Sequence, residues 1–270
     1  MNRNYFLFIF ILVLLACNTE KKYAKLFLHE KDSVSLMIMK PDVVFKTNYK
    51  SNEITYFDSL TSSVQDSLLY ARSSFIQYFS DTEIIKCYYT SLVQGLNDYD
   101  LKPYGTDNFG TFFEQKTKAF IFQIAQMQIE EYKIPFEESA VFGEEEHTVN
   151  FDLNAVNFNI WYEVSQLNAD SGLMTILYNQ QNIQDKISGH FKKYFLSEDV
   201  RYDYNRKDVS VTNVFELAAK TGKLHAQYIF DYLMNRALFE RLKQKPKFYY
   251  HYDPRKKRIS KAKDNRFIFL

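Results

Sequence analysis

The sequence predicts an α+β fold, a mixed or antiparallel sheet with long meander strands packed against amphipathic helices. Three observations carry this. Ala119–Ile134 and Val149–Val164 are long stretches with the period-two patterning of strands. Asp81–Tyr99 and Asn213–Tyr232 carry apolar residues at helical spacing. Gly (7) and Pro (5) are scarce while aromatics reach 17%, which excludes a disordered stalk and argues for a packed core.

In chain order, Val34, Leu36 and Ile38 predict a first strand ending at Lys40-Pro41. Val64, Leu68, Ala71, Phe75 and Phe79 lie on one face of a helix over Ser59–Phe79. Ser80-Asp81-Thr82-Glu83 is a capping box that opens a second helix, striped by Ile84 or Ile85, Tyr88, Leu92, Leu96 and Tyr99. Cys87, beside that stripe, is expected as a small buried hydrophobe. Leu101–Gly105 suggests a short strand, and Thr106-Asp107 a cap for a brief helix through Phe113. The run AFIFQIA from Ala119 is apolar as a central strand should be, and then Ala125, Met127 and Ile129 alternate with Gln126, Gln128 and Glu130.

After the acidic turn at Glu144-Glu145-Glu146, Val149, Phe151 and Leu153 are odd, while Val156, Phe158, Ile160, Tyr162 and Val164 are even. That change of parity predicts a bulge or strand break at Asn154-Ala155. Asn168–Gly172 is turn chemistry, and Leu173–Tyr178 returns as a hairpin partner. Thr212 or Asn213 is expected to cap the last helix, whose face is Val214, Leu217, Ala218, Thr221, His225, Tyr228 and Tyr232. Ala218, Gly222 and Ala226 form a small-residue line expected to press on the sheet.

The ends differ from this body. Arg3, the apolar run Tyr5–Leu15 and Leu14-Leu15-Ala16-Cys17 have the layout of a secretory signal peptide. The apolar run is about half the ~20 residues that a spanning helix needs. LLAC resembles the bacterial lipobox, which implies cleavage before Cys17 and acylation of that cysteine, hence a palmitate-type membrane anchor. The expected organisation is a lipoprotein signal peptide over 1–16, a tether over 17–32, one α+β domain over 33–242, and a basic aromatic tail over 243–270. Ten Lys/Arg face two Asp in that tail, against an acidic body. The tail is expected to fold back on its own body, with anionic lipid or cell wall, or a protein partner, as the other readings. An exported chain excludes a nucleic-acid partner.

No constellation of catalytic or metal-ligating residues stands out. None of His29, His147, His190, His225 and His251 lies three or four residues from another histidine or a cysteine. His225 is expected to be a packed histidine, and Glu144–His147 a solvated charge run rather than a cation site. There is no glycine-rich phosphate loop, G-x-S-x-G elbow or cysteine-nucleophile signature. Glu130, Glu131 and Glu163 are paired-carboxylate candidates by residue type, without evidence of convergence. The expectation is a non-enzyme without cofactor or metal.

From Thr82 onward, the order helix, strand, helix, two long strands, closing helix resembles the auxiliary lipoproteins of ABC-type transport systems, penicillin-binding-protein activator lipoproteins and the curli-secretion type. FNIWYEV at Phe158–Val164 resembles a core strand of the auxiliary group. The phrases NFDLNAVNFNIWYEV and YIFDYLMN, with the Asn/Lys/Ile/Tyr-heavy composition, resemble uncharacterised Bacteroidetes envelope lipoproteins. The insertion Asp185–Val209 and the basic tail depart from these patterns. The resemblance implies an envelope location; Asn18 after the cysteine implies the outer membrane, and Asn18-Thr19-Glu20-Lys21-Lys22, with one acid and two bases rather than an acidic cluster, implies the side facing the periplasm. The leading functional expectation is a membrane-tethered, non-enzymatic adaptor bound to an envelope protein partner. The alternative is a glycan- or lipid-binding lipoprotein, which clustered Tyr and Trp161 in a groove would favour. A broad apolar patch would favour the adaptor.

Overall fold

The computed structural model describes residues 19–115, 118–167, 174–194, 199–262 and 267–270. The expected leader and Cys17 lie outside them, as does the turn at Asn168–Gly172. The fold is α+β, with a mixed sheet in the order β1-β3-β4-β5-β10 and β2 also paired with β3. Its strands are β1 (Val34–Met39), β2 (Phe45–Asn48), β3 (Lys118–Phe142), β4 (Glu145–Gln166), β5 (Thr175–Gln184) and β10 (Ile268–Phe269). β1 and β2 run parallel to β3 at successive points along it, while β4, β5 and β10 are antiparallel to their neighbours. The strands β6 (Lys186–Lys193) and β7 (Val200–Lys207) form one separate hairpin, β8 (Tyr250–Asp253) and β9 (Arg258–Lys261) another. Helices are α1 (19–30), α2 (Ser62–Ala71), α3 (Asp81–Asn97), α4 (Phe109–Phe113) and α5 (Val211–Leu242). Among the described residues no helix is long and apolar enough to cross a membrane.

One face of the sheet, the helix face, is covered by α3 and α5. Phe122, Ile124, Met127 and Ile129 of β3 and Val156, Phe158, Ile160, Tyr162 and Val164 of β4 are buried there. Ser80 caps α3 through the full capping box, with Glu83 reaching back, so the sequence signal is realised. Its stripe Ile84, Tyr88, Leu92, Leu96 is fully buried, each aliphatic member contributing roughly 1.5–3 kcal/mol relative to exposure. α5 is capped by Ser210 rather than Thr212 or Asn213; Asn213 instead fills the third position of the capping box. The small-residue line of α5 meets α3, not the sheet. A Cβ on Gly222 would lie 2.9 Å from Leu92 N and 3.1 Å from Ser91 Cβ, and one on Gly95 would lie 2.7 Å from Ala226 Cβ. The two helices therefore approach at backbone distance, which the sheet would not have required.

Three further corrections concern single segments. The helix expected over Ser59–Phe79 stops at Ala71, because the Glu131 carboxylate accepts from the backbone N–H of Ser74 (2.5 Å), Phe75 (3.0 Å) and Ile76 (3.4 Å). Those donors are what another helical turn would consume. Phe75 and Phe79 still reach the core, from a 3₁₀ turn and the α3 lead-in. Leu101–Gly105 contributes only a bridge between Met37 and Tyr104. The expected tether, 17–32, is helical over 19–30 and buries Ala24 and Phe27, with Phe27 edge-on to Phe230 of α5 at 5.6 Å.

The tail folds back on the body. β8–β9 lies on α5, Tyr250, Ile259 and Phe267 join the core, and β10 pairs with β5. The core thus draws residues from Ala24 to Phe267, beyond both ends of the expected 33–242 domain.

The expected bulge or strand break at Asn154-Ala155 is absent: β4 runs through it in one register with β3, while its pairing with β5 ends at Ala155. The parity changes because the covered face changes. Toward the ribbon tip, Phe151 packs on Tyr202 (6.0 Å) and Tyr204 (4.8 Å) of β7, and Tyr202 donates to Glu138 at 2.6 Å. The β6–β7 hairpin therefore covers the side opposite to α3 and α5. A true register shift does occur in β3, between Ile124 and Gln126. It leaves Ala125 exposed, out of phase with Met127 and Ile129.

Candidate functional site

Between the β6–β7 hairpin and α4, no described helix or strand covers the face of the sheet away from α3 and α5, although Asn159 on it is buried. Cross-strand register arranges its side chains in rows. Phe45, Gln128, Asn159 and Gln180 form one; Thr47, Glu130, Asn157 and Asn182 a second; Gln126, Trp161 and Tyr178 a third. From strand spacings the platform measures roughly 13 Å along the strands and 14 Å across them.

Its chemistry is uniform. Gln126 donates to Gln128 (3.1 Å), which donates to Glu130 (3.1 Å). Glu130 also accepts from Asn157 (3.2 Å), Asn159 (2.9 Å) and the hydroxyl of Tyr49 (3.3 Å). Tyr178 donates to Asn159 at 2.9 Å, and Tyr132 to Asn157 at 3.0 Å. Burial and the nearby Glu130 carboxylate push the Tyr49, Tyr132 and Tyr178 hydroxyls above their ordinary range, so they remain protonated donors at neutral pH. Gln126, Gln128 and Asn157 hold their neighbours with part of their capacity of two N–H and two lone pairs and are partly exposed, whereas Asn159 is buried. Trp161 and Tyr178 lie against each other at 4.7 Å and 34°. No Lys or Arg stands in the three rows, so the surface offers hydrogen bonds and ring faces without positive charge.

The sequence candidates fall elsewhere or fall apart. Glu130 is on the open face, while Glu131 is buried on the helix face, bound to Lys50 at 2.5 Å. Glu163 is on the open face beside Gln123 and Ile176. The three carboxylates do not converge. His225 is buried; its Nδ1 lies 2.6 Å from the Tyr88 hydroxyl and its Nε2 2.9 Å from Asn179 Oδ1. Burial lowers it to about 3, so it is a neutral member of a core network. Cys87 is half-buried, its thiol 3.4 Å from the Phe215 carbonyl, and burial pushes that thiol up, away from nucleophile character. Glu145 and His147 sit at the ribbon tip 3.8 Å apart, with Gly143 (φ +70°) making the turn. Among the described residues no cluster of His, Cys, Asp or Glu could hold a metal ion.

One arrangement not foreseen is His251 Nδ1 at 2.8 Å from the buried carboxylate of Asp231, beside a cleft of about 620 Å³. Asp231 also accepts from Tyr252 N at 3.0 Å, which fastens β8 to α5. Among the described residues no Ser, Thr or Cys lines that cleft.

Of the platform residues only Glu130 and Trp161 stand out by type; Gln126 and Gln128 read as the polar side of a strand and Tyr178 as the end of a hairpin strand. The signal was available: on the outward side of QMQIE, NFNIW and LYNQQ the alternating residues are amides and aromatics, with Glu130 the single charge. No known protein-family model matches the chain, and no curated protein matches its sequence.

Proposed function

We propose that this chain is a lipid-anchored envelope protein that binds glycan on the open face of its sheet, without catalysing a reaction on it. The observation that carries the reading is the Trp161–Tyr178 pair set within the amide ladder around Glu130. A sugar ring presents C–H groups on its faces and hydroxyls around its rim. Aromatic faces suit the first, and amide groups, which donate and accept, suit the second. The lack of basic residues in the rows disfavours phosphate or sulfate groups. The adaptor reading ranks second, because it calls for a broad apolar patch, and this face is built of amides. The anchor at Cys17 rests on LLAC, the outer-membrane location on Asn18, and the periplasm-facing side on the single acid and two bases of Asn18-Thr19-Glu20-Lys21-Lys22.

Trp161 is the only tryptophan, so its emission reports on the site directly. Titrating the full chain with a panel of neutral oligosaccharides is expected to change that emission for at least one structural class. Calorimetry should then find binding weakened at least about tenfold, or 1.4 kcal/mol, in Trp161→Ala and Tyr178→Ala, with melting temperatures near wild type. No emission change across the panel, or equal affinity in both variants, would refute the assignment.

A further inference from the structure

We infer that the C-terminal end of α5 and the segment after it form a second binding surface, which docks on an anionic lipid bilayer and sets the orientation of the domain. The inference rests on the lipid-anchor reading of Cys17. α5 ends at Leu242, and Lys243 turns the chain with left-handed backbone (φ 54°). The chain then presents Lys243, Lys245 and Lys247 outward. Among the described residues none of these three ammonium groups has an acidic partner. Arg236 adds a fourth charge, tied loosely to Glu240 at 3.6 Å.

Within this basic rim lies a cleft of about 620 Å³ lined by Tyr232, Phe239, Phe248 and Phe269. Phe239 is 43% exposed, Phe269 46% and the terminal Leu270 67%. Lys261 Nζ stands 3.3 Å over the Phe248 ring. Exposed rings cost hydration in water but sit favourably at a bilayer interface, and lysines beside them are drawn to anionic headgroups. A lone apolar cleft would not name its occupant; the rim of unpaired lysines does so through charge.

The second observation is where the anchor leaves the fold. The Glu20 carboxylate accepts from the backbone N–H of Lys247 (2.9 Å) and from the Tyr250 hydroxyl (2.9 Å). The start of α1 is thereby fastened to the basic segment. Glu20 is three residues from Cys17, so chain length alone keeps the acylated residue within about 11 Å of it. The acyl chains and the lysine rim therefore meet the membrane at one corner. Thr175 and Phe269, at the β5–β10 end of the sheet, belong to that corner too. From Phe122, near that end, β3 runs twenty residues to Phe142, up to about 65 Å of strand. Docking would thus hold the ribbon tip out from the lipid and leave the open face beside the docking corner, its Tyr178 paired with Ile268 of β10.

The test is hydrogen–deuterium exchange on the full acylated protein, reconstituted in vesicles with roughly 30 mol% phosphatidylglycerol or of phosphatidylcholine alone. Amides of 243–249 are expected to exchange at least about fivefold more slowly on the anionic vesicles. The difference should vanish near 1 M salt, where the screening length falls to ~3 Å. It should also vanish in Lys245→Glu/Lys247→Glu, while exchange within α5 at 226–234 stays unchanged as the folding control. Equal exchange on both vesicle types, with the protein acylated and vesicle-bound, would overturn the docking surface and leave the anchor standing. Absence of the acyl mass on Cys17 would overturn both.

Discussion

The two halves of the β3–β4 ribbon share one backbone, and their register runs unbroken across the joint, but they are covered on opposite faces and by different means. The half near β1 and β5 packs aliphatic and aromatic side chains against two long helices at backbone distance. The half near the tip packs half-buried Phe136, Phe151 and Phe142 against a two-stranded hairpin whose side chains are largely exposed. At the joint sits a chain of buried polar groups. Lys50 binds Glu131 at 2.5 Å and Asn154 at 2.9 Å; Asp185 accepts from Asn154 N and Arg206, both at 2.8 Å. Burial pushes the Asp185 carboxyl up, yet the Val209 and Asn154 amides and Arg206 bring it below its ordinary value. A strand passing from one cover to another exposes backbone and edges at the crossing, and this chain closes the gap with hydrogen-bonded charge.

Breaking the joint should therefore have the largest effect. Glu131→Ala would leave the Lys50 ammonium, 2% exposed, without its partner and three amides without an acceptor. A loss of about 3–5 kcal/mol in urea unfolding is expected. Glu138→Ala, which removes the Tyr202 contact of the outer half, should cost no more than about 1 kcal/mol. Similar costs for the two would show that the halves do not differ in how their polar groups are used.

The next effect sharpens the inner half alone. His225 is held near 3 against an ordinary 6.5, so the unfolded chain takes up a proton first as pH falls. Stability should drop from about pH 6.5 toward 3, by roughly 1.4 kcal/mol per unit and on the order of 4 kcal/mol in all. In His225→Gln the stability should start lower at pH 7 and fall less steeply, and the difference between the two pH curves isolates this group from the carboxylates. Parallel curves would mean that the core network admits a charged imidazole.

Most of the scaffold was legible, because α3, α5, β3 and β4 each carry a period long enough to outweigh local noise. What escaped did so for physical reasons. The helical pattern runs past the end of α2 because nothing local announces that Glu131, far along the chain, takes the amides of Ser74–Ile76. Helix α1 hid behind its lysines, although Glu20, Tyr23, Ala24, Phe27 and Leu28 have the spacing of a buried stripe. The parity change was visible, but a single strand cannot say whether an extra residue or a new cover causes it. The open face was legible only in part: Trp161 stands out by type, whereas its amide neighbours become a site only through pairing across β2, β3, β4 and β5. For the same reason the Lys50–Glu131 pair, 81 positions apart, left no mark in the sequence.

The smallest effect separates the halves by how rigid their close contacts are. Gly222 and Gly189 are each too crowded for a Cβ. At Gly222 the nearest atoms are backbone of α3, Tyr88 O and Leu92 N, held by the helix itself. At Gly189 they are the Tyr202 ring (2.6 Å) and the Asp203 carbonyl (2.7 Å), in a two-stranded hairpin of half-buried and exposed residues. A helix pair locked in the core must shift as a unit, whereas a surface hairpin can twist away and Tyr202 can turn. Gly222→Ala should accordingly cost about 1–3 kcal/mol in thermal or urea unfolding, and Gly222→Leu more. Gly189→Ala should cost less than half of that, with its strain appearing as faster amide exchange confined to β6 and β7. If Gly189→Ala proves the costlier of the two, the outer cover is as tightly packed as the inner one, and the contrast between the halves lies only in which face each leaves to water.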